Sequence, residues 1–165
     1  MISIGHKATS KLIQFLTQPA GLNASIASLA RSEDTALLPI GAQHLFTENV
    51  SSDIAEKSGE AKYTGIYVYC ERISNLLKEK FRSFSGTIQV TIDVRVSQDR
   101  LEGIDRLSQL YMDALTHTLN QNRGDWGDGL FYSGVYEVSF GAVKHGGRNF
   151  IKSSKLTLDV DGSVD

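Results

Sequence analysis

Thr87-Ile88-Gln89-Val90-Thr91-Ile92-Asp93-Val94-Arg95-Val96 is the stretch on which the fold turns. Branched apolar residues at 88, 90, 92, 94 and 96 alternate with polar ones, and a period of two puts all five on one face of a β-strand. One face is therefore expected to be buried and the other wet. Upstream, Ile66, Val68 and Cys70 alternate with Tyr67, Tyr69 and Glu71, a second strand whose other face is aromatic. Downstream, Tyr136, Val138 and Phe140 alternate with Val135, Glu137 and Ser139, and Leu156, Leu158 and Val160 alternate with Thr157 and Asp159. Between these two runs, Lys144-His145-Gly146-Gly147-Arg148-Asn149 supplies a turn with Gly-Gly at its centre, so an antiparallel hairpin is expected. Val160-Asp161-Gly162-Ser163 reads as a fraying tail.

Just past the central strand the period changes. Leu101, Ile104, Leu107, Leu110, Tyr111, Ala114, Leu115, Thr118 and Leu119 form one helical stripe that must pack on the sheet, with Gly124 beyond its end. Two shorter helical patterns precede the strands: Ala8 to Thr17 and Leu22 to Arg31, separated by Pro19-Ala20-Gly21. They read as a bent helical arm. Residues Glu48 to Glu60, rich in Ser, Asp, Glu and Lys, read as a long exposed loop, and loops of that length are usually functional or disordered. The expected fold is α+β, a mostly antiparallel sheet of about four to five strands packed by one long helix, with the N-terminal helical arm. Residues 1–165 form one domain, with the arm in 1–34, the loop region in 35–62, and the sheet and long helix in 63–165.

Composition narrows the function. Lys and Arg number 17 against 19 Asp and Glu, a balance that lacks the basic footprint of a dedicated nucleic-acid binder. No window approaches the roughly 18 consecutive apolar residues of a membrane span. The start Met-Ile-Ser-Ile-Gly-His-Lys has no secretory signal pattern, so synthesis in the cytoplasm is expected. Cys70, the only cysteine, lies in an alternating apolar run and reads as a small buried hydrophobe rather than a nucleophile.

Chemistry-bearing motifs are weak. Asp125 and Asp128 flank Trp126 in a Gly-rich loop, but the further oxygen ligands of a calcium loop are missing, and Asp and Gly there serve turn conformations. His6, His44, His117 and His145 are scattered without a ligand spacing, so no metal and no cofactor is expected. Gly146-Gly147-Arg148 lacks the phosphate-loop pattern and reads as a hairpin turn with a basic rim. No catalytic set emerges, and the chain is read as a non-enzyme. Contact candidates are the polar loop with Glu48, Asp53, Glu56, Lys57 and Glu60, the basic turn with Lys144, His145 and Arg148, and the aromatics Tyr67, Tyr69 and Trp126. Tyr67 and Tyr69 oppose the Ile66-Val68-Cys70 face, so one of those faces needs a cover that a single-layer domain has to borrow. A pocket under the long helix, holding a small molecule, is the alternative reading.

The order of helix, long polar loop, strands, long helix and strand hairpin, with Val96-Ser97-Gln98-Asp99 leading into the long helix and a Gly-rich loop leaving it, resembles the tail terminator and head–tail neck proteins of tailed bacteriophages. The resemblance implies a small α+β virion subunit that assembles into a ring, commonly a hexamer, capping the tail tube and joining it to the head. It implies neighbouring tail-tube and head-connector proteins as partners, and DNA passing through the ring without specific binding. A mild net negative charge suits a channel that must not grip DNA. Other rings of the same neck, head-closure or tail-completion proteins, share these features. The family has no catalytic residues to carry over, and the resemblance implies the 48–60 loop and the 144–149 turn as contact elements.

Overall fold

The computed structural model describes residues 3–51, 64–146 and 148–165. Three α-helices, α1 (Ile4–Thr17), α2 (Leu22–Ser32) and α3 (Ile104–Gln121), combine with strands β1 (Leu45–Phe46), β2 (Gly65–Asn75), β3 (Phe84–Gln98), β4 (Gly124–Gly127), β5 (Leu130–Tyr132), β6 (Tyr136–Gly146) and β7 (Asn149–Val164). The sheet runs β1-β2-β3-β7-β5-β4, with β6 also paired to β7. Among the described residues only the β1–β2 contact is parallel. The α+β class and the mostly antiparallel sheet are as the sequence predicts. The strand number differs, seven among the described residues against four or five, because β1, β4 and β5 span two to four residues and are too short to display a period.

The spine is the β3–β7 ladder, paired without a break from Phe84↔Val164 to Gln98↔Phe150. Ile88, Val90, Ile92, Val94 and Val96 of β3 and Leu156, Leu158 and Val160 of β7 are buried beneath the helices. Each such side chain contributes roughly 1.5–3 kcal/mol by leaving water. The stretch Val160–Ser163 is no fraying tail: it pairs with β3 residue for residue, and Ser163 donates its backbone N–H to the Gly129 carbonyl at 2.8 Å.

All three helices cover one face of this sheet. Ala8, Leu12 and Leu16 of α1 and Leu22 and Ile26 of α2 belong to the same core as Ile104, Leu115 and Leu119 of α3. The two N-terminal helices are thus part of the helical layer rather than a projecting arm, because each has its own apolar stripe to bury. Small hydroxyls tie the layers together. Ser25 of α2 meets Thr118 of α3 at 2.9 Å, and Ser108 of α3 meets Ser154 of β7 at 2.7 Å. Asn23 brackets the backbone of Ile40, accepting from its N–H at 2.8 Å and donating to its carbonyl at 2.9 Å, which pins the connecting segment to α2. α3 starts after Gly103, whose φ of 79° ends the preceding turn. Leu101, which the sequence stripe included, therefore lies outside the helix and is exposed.

The opposite face corrects a second expectation. Thr91, Asp93 and Arg95 are buried, not wet. Phe46 and Val50 pack against Tyr67 and Tyr69 over this face. Arg95 pairs with Asp93 at 3.0 Å, lies 3.9 Å above the Tyr67 ring and donates to the Val50 carbonyl, while Ser153 of β7 donates to Asp93. Buried charges are tolerated only when paired in this way.

Ile92 is fully buried at the middle of the spine. Ile92→Asp is expected to cost more than about 4 kcal/mol and to remove folded protein from the soluble fraction, whereas Val135→Asp, at an exposed position, should leave the far-UV circular dichroism unchanged. A folded Ile92→Asp variant would contradict the face assignment.

Candidate assembly surface

The residues singled out from sequence separate into three groups. Tyr67, Tyr69 and Trp126 are buried within the chain's own core. The cover that the tyrosine face needs is supplied by Phe46 and Val50 of the same chain. Trp126 packs in tilted geometry against Phe15 and Tyr132 at centroid distances of 5.2 and 5.4 Å and donates its indole N–H to the Asn122 carbonyl at 2.7 Å, closing the end of α3. Glu48, Lys144, His145 and Arg148 are exposed, and the last three cluster at the β6–β7 turn, where Gly146 pairs with Asn149. Asp53, Glu56, Lys57 and Glu60 lie outside the described residues.

Of the Gly-rich stretch Gly124–Gly129 that the sequence reads as a loop, Gly124–Gly127 is strand β4, and only Asp128 and Gly129 form the turn. Asp125 accepts the Gly127 N–H at 2.8 Å, and Asp128 and Gly129 both have positive φ, 56° and 78°, joining β4 to β5 by a two-residue hairpin of the Asp-Gly kind. A Cβ on Gly129 would stand 2.1 Å from the Ser163 carbonyl oxygen, so only glycine fits. Cys70 is half-buried under α1, and burial pushes its thiol pKa up, away from the thiolate a nucleophile needs. Among the described residues no group of three or more His, Cys, Asp or Glu is placed to hold a metal ion, and no helix is long and apolar enough to cross a membrane.

What sequence reasoning missed is exposed apolar surface. At the tip between β2 and β3, Leu76, Leu77 and Phe81 face solvent, Phe81 completely. Leu77 and Phe81 have φ of 47° and 68°, a left-handed conformation that costs a bulky L-residue energy. The surrounding Lys78, Lys80 and Arg82 make the tip basic. The signal was present as Leu76-Leu77-Lys78-Glu79-Lys80-Phe81, an apolar-basic run between two strands. A second exposed surface is β6, which pairs only with β7 among the described residues and leaves its other edge open, with Tyr136 and Phe140 at the surface. Beside it, a groove of about 320 Å³ is lined by Phe140, Gly141, Ala142, Lys144, Ile151 and Lys155. At the other end of β3, a cleft of about 570 Å³ is lined by Leu38, Pro39, Ile40, His44, Leu107 and Tyr111. The Tyr111 hydroxyl donates to the Leu38 carbonyl at 2.8 Å, and burial raises its pKa, so it is committed to holding the segment in place.

No family model matches the chain, and no curated protein matches it in sequence. Roles for these residues therefore rest on their own geometry.

Two variants test the surface assignments. Phe81→Gly relieves the positive φ and removes no buried contact, so the melting temperature is expected not to fall; a clear drop would mean that Phe81 packs against the fold. Tyr132 is buried, its hydroxyl has no partner among the described residues, and burial pushes its pKa up from 10 to about 12. The folded state thus favours the protonated phenol, and the stability this gives is whole below pH 10 and lost as pH rises from 10 to 12. Tyr132→Phe should leave stability at pH 7 equal or higher and flatten the decline between pH 10 and 12 in thermal melts; a loss above about 1 kcal/mol at pH 7 would mean that the hydroxyl is satisfied.

Proposed function

We propose that the chain is a structural subunit of a tailed-phage virion, a neck or tail terminator protein that forms a ring capping the tail tube and joining it to the head. The observation that carries this reading is surface of the kind that assembly uses, on a core that is otherwise well packed: an open eleven-residue strand at one edge and a hairpin tip that presents Phe81 to solvent. Exposed apolar patches of this kind mark contact surfaces, and an open strand edge is a template for pairing with another chain. The element order resembling neck proteins supplies the class, and the tail-terminator-like form of the α+β fold belongs to the same proposal. The subunit is made in the host cytoplasm and resides in the virion neck, with tail-tube and head-connector proteins as neighbours, and DNA passes through the ring without specific binding. It acts without catalysis or cofactor. Another ring of the neck, a head-closure or tail-completion protein, is the nearest variant.

A small-molecule-binding role is the second reading, favoured by the 570 Å³ cleft, whose size lies in the range of ligand pockets. Light scattering of the purified chain over a concentration series separates the two. A species of about six subunits is expected for a ring; a monomer at every concentration, combined with a small molecule that co-purifies and raises the melting temperature, would overturn the ring in favour of the cleft.

A further inference from the structure

A closed ring of identical chains needs a heterologous contact, in which two unlike surfaces of one chain meet on neighbouring copies. Among the described residues the sheet has two long open edges of this kind. At one end β6 has an open edge over Tyr136–Gly146; at the other, β2 has no second neighbour past Tyr67 among the described residues. We infer that these edges pair, β6 of one copy with the outer half of β2 of the next, so that the ring is held by a sheet continued from copy to copy. This rests on the ring reading and says which surfaces close it.

Strand direction favours the pairing. β2 is antiparallel to β3, β3 to β7, and β7 to β6, so β6 runs opposite to β2. Copies set side by side in one orientation therefore meet as antiparallel strands. That continues the pattern within each copy, and both strands gain the backbone hydrogen bonds their outer edges lack.

The side chains agree in face and in kind. Ile73 pairs with Ile88, and Tyr136, Val138 and Phe140 pair with Leu158, Leu156 and Ser154, all on the helical face of the sheet. Ile73, Tyr136 and Phe140 are large apolar residues left 44%, 37% and 47% exposed. With Ile73 of the neighbouring copy opposite Val138, Tyr136 and Phe140 become its diagonal neighbours, and all three apolar side chains leave water together. The β6 stretch from Val138 to Val143 has no charge and no proline, the usual means of blunting an edge.

Cross-linking tests the contact. In a Cys70→Ser background, Ile73→Cys and Val138→Cys combined in one chain sit at opposite ends of the sheet and can only join different copies, and directly opposed strand positions are close enough for a disulfide. On oxidation, a non-reducing gel should show a ladder rising from dimer to the full ring, and neither single variant should go beyond a dimer. Phe140→Lys should turn the ring seen by light scattering into monomer with its circular dichroism unchanged. A ring that persists in Phe140→Lys, or that gives no ladder, would overturn the edge pairing and leave the ring reading standing. A wild-type chain that forms no ring, together with a double-cysteine variant that gives no ladder, would overturn both.

Discussion

The unbroken pairing of β3 with β7, from Phe84↔Val164 to Gln98↔Phe150, is what the rest of the molecule is arranged around. A ladder of that length holds both strands in one register, so every alternate side chain goes to a fixed face. On one face this yields a continuous apolar floor of Ile88, Val90, Ile92, Val94, Leu156, Leu158 and Val160, onto which α1, α2 and α3 pack. On the other it places Asp93 beside Arg95 and Ser153, and the short segment from Phe46 to Val50 closes over them. A one-residue slip would exchange the two sets and bury charge under the helices.

β3 is covered on both faces from Thr91 to Arg95, the outer face of β7 presents charged residues such as Lys155 and Asp159 to water, and apolar exposure is left at the margins of the sheet. Among the described residues β6 is held by β7 alone, and the hairpin tip after β2 projects Leu77 and Phe81 in a conformation that bulky residues seldom adopt. Neither feature helps the isolated chain: an open edge leaves backbone groups to water, and a strained turn costs stability. Their cost becomes intelligible when another chain covers them, and this connects the packing of the fold to assembly. Tyr132 and Arg95 show a milder cost inside the core, each with a buried polar atom that has no partner among the described residues.

Much of this architecture was legible in the sequence. The period of two in β3 and β7 and the stripe of α3 survive because each depends on side chains close together in the chain, and so does the Asp-Gly turn before β5. Three things were not. β1, β4 and β5 are too short to show a period. The burial of Thr91, Asp93 and Arg95 comes from Phe46 and Val50, which are remote in sequence. The pairing of Asp161, Gly162 and Ser163 is made by backbone groups, which side-chain patterns do not report. On the functional side, the basic turn at Lys144, His145 and Arg148 lies at the surface as read, whereas Tyr67, Tyr69 and Trp126 were assigned to contacts for an aromatic character that the core uses instead.

Amide hydrogen exchange, followed residue by residue in dilute and concentrated protein, tests most directly the claim that a rigid two-strand spine carries an edge kept open for another chain. Amides of β3 should exchange only through global unfolding at either concentration, and outward-facing amides of β6 should exchange fast when dilute and slow on concentration. Protection of β6 equal to that of β3 in dilute protein, or no change in β6 on concentration, would contradict it.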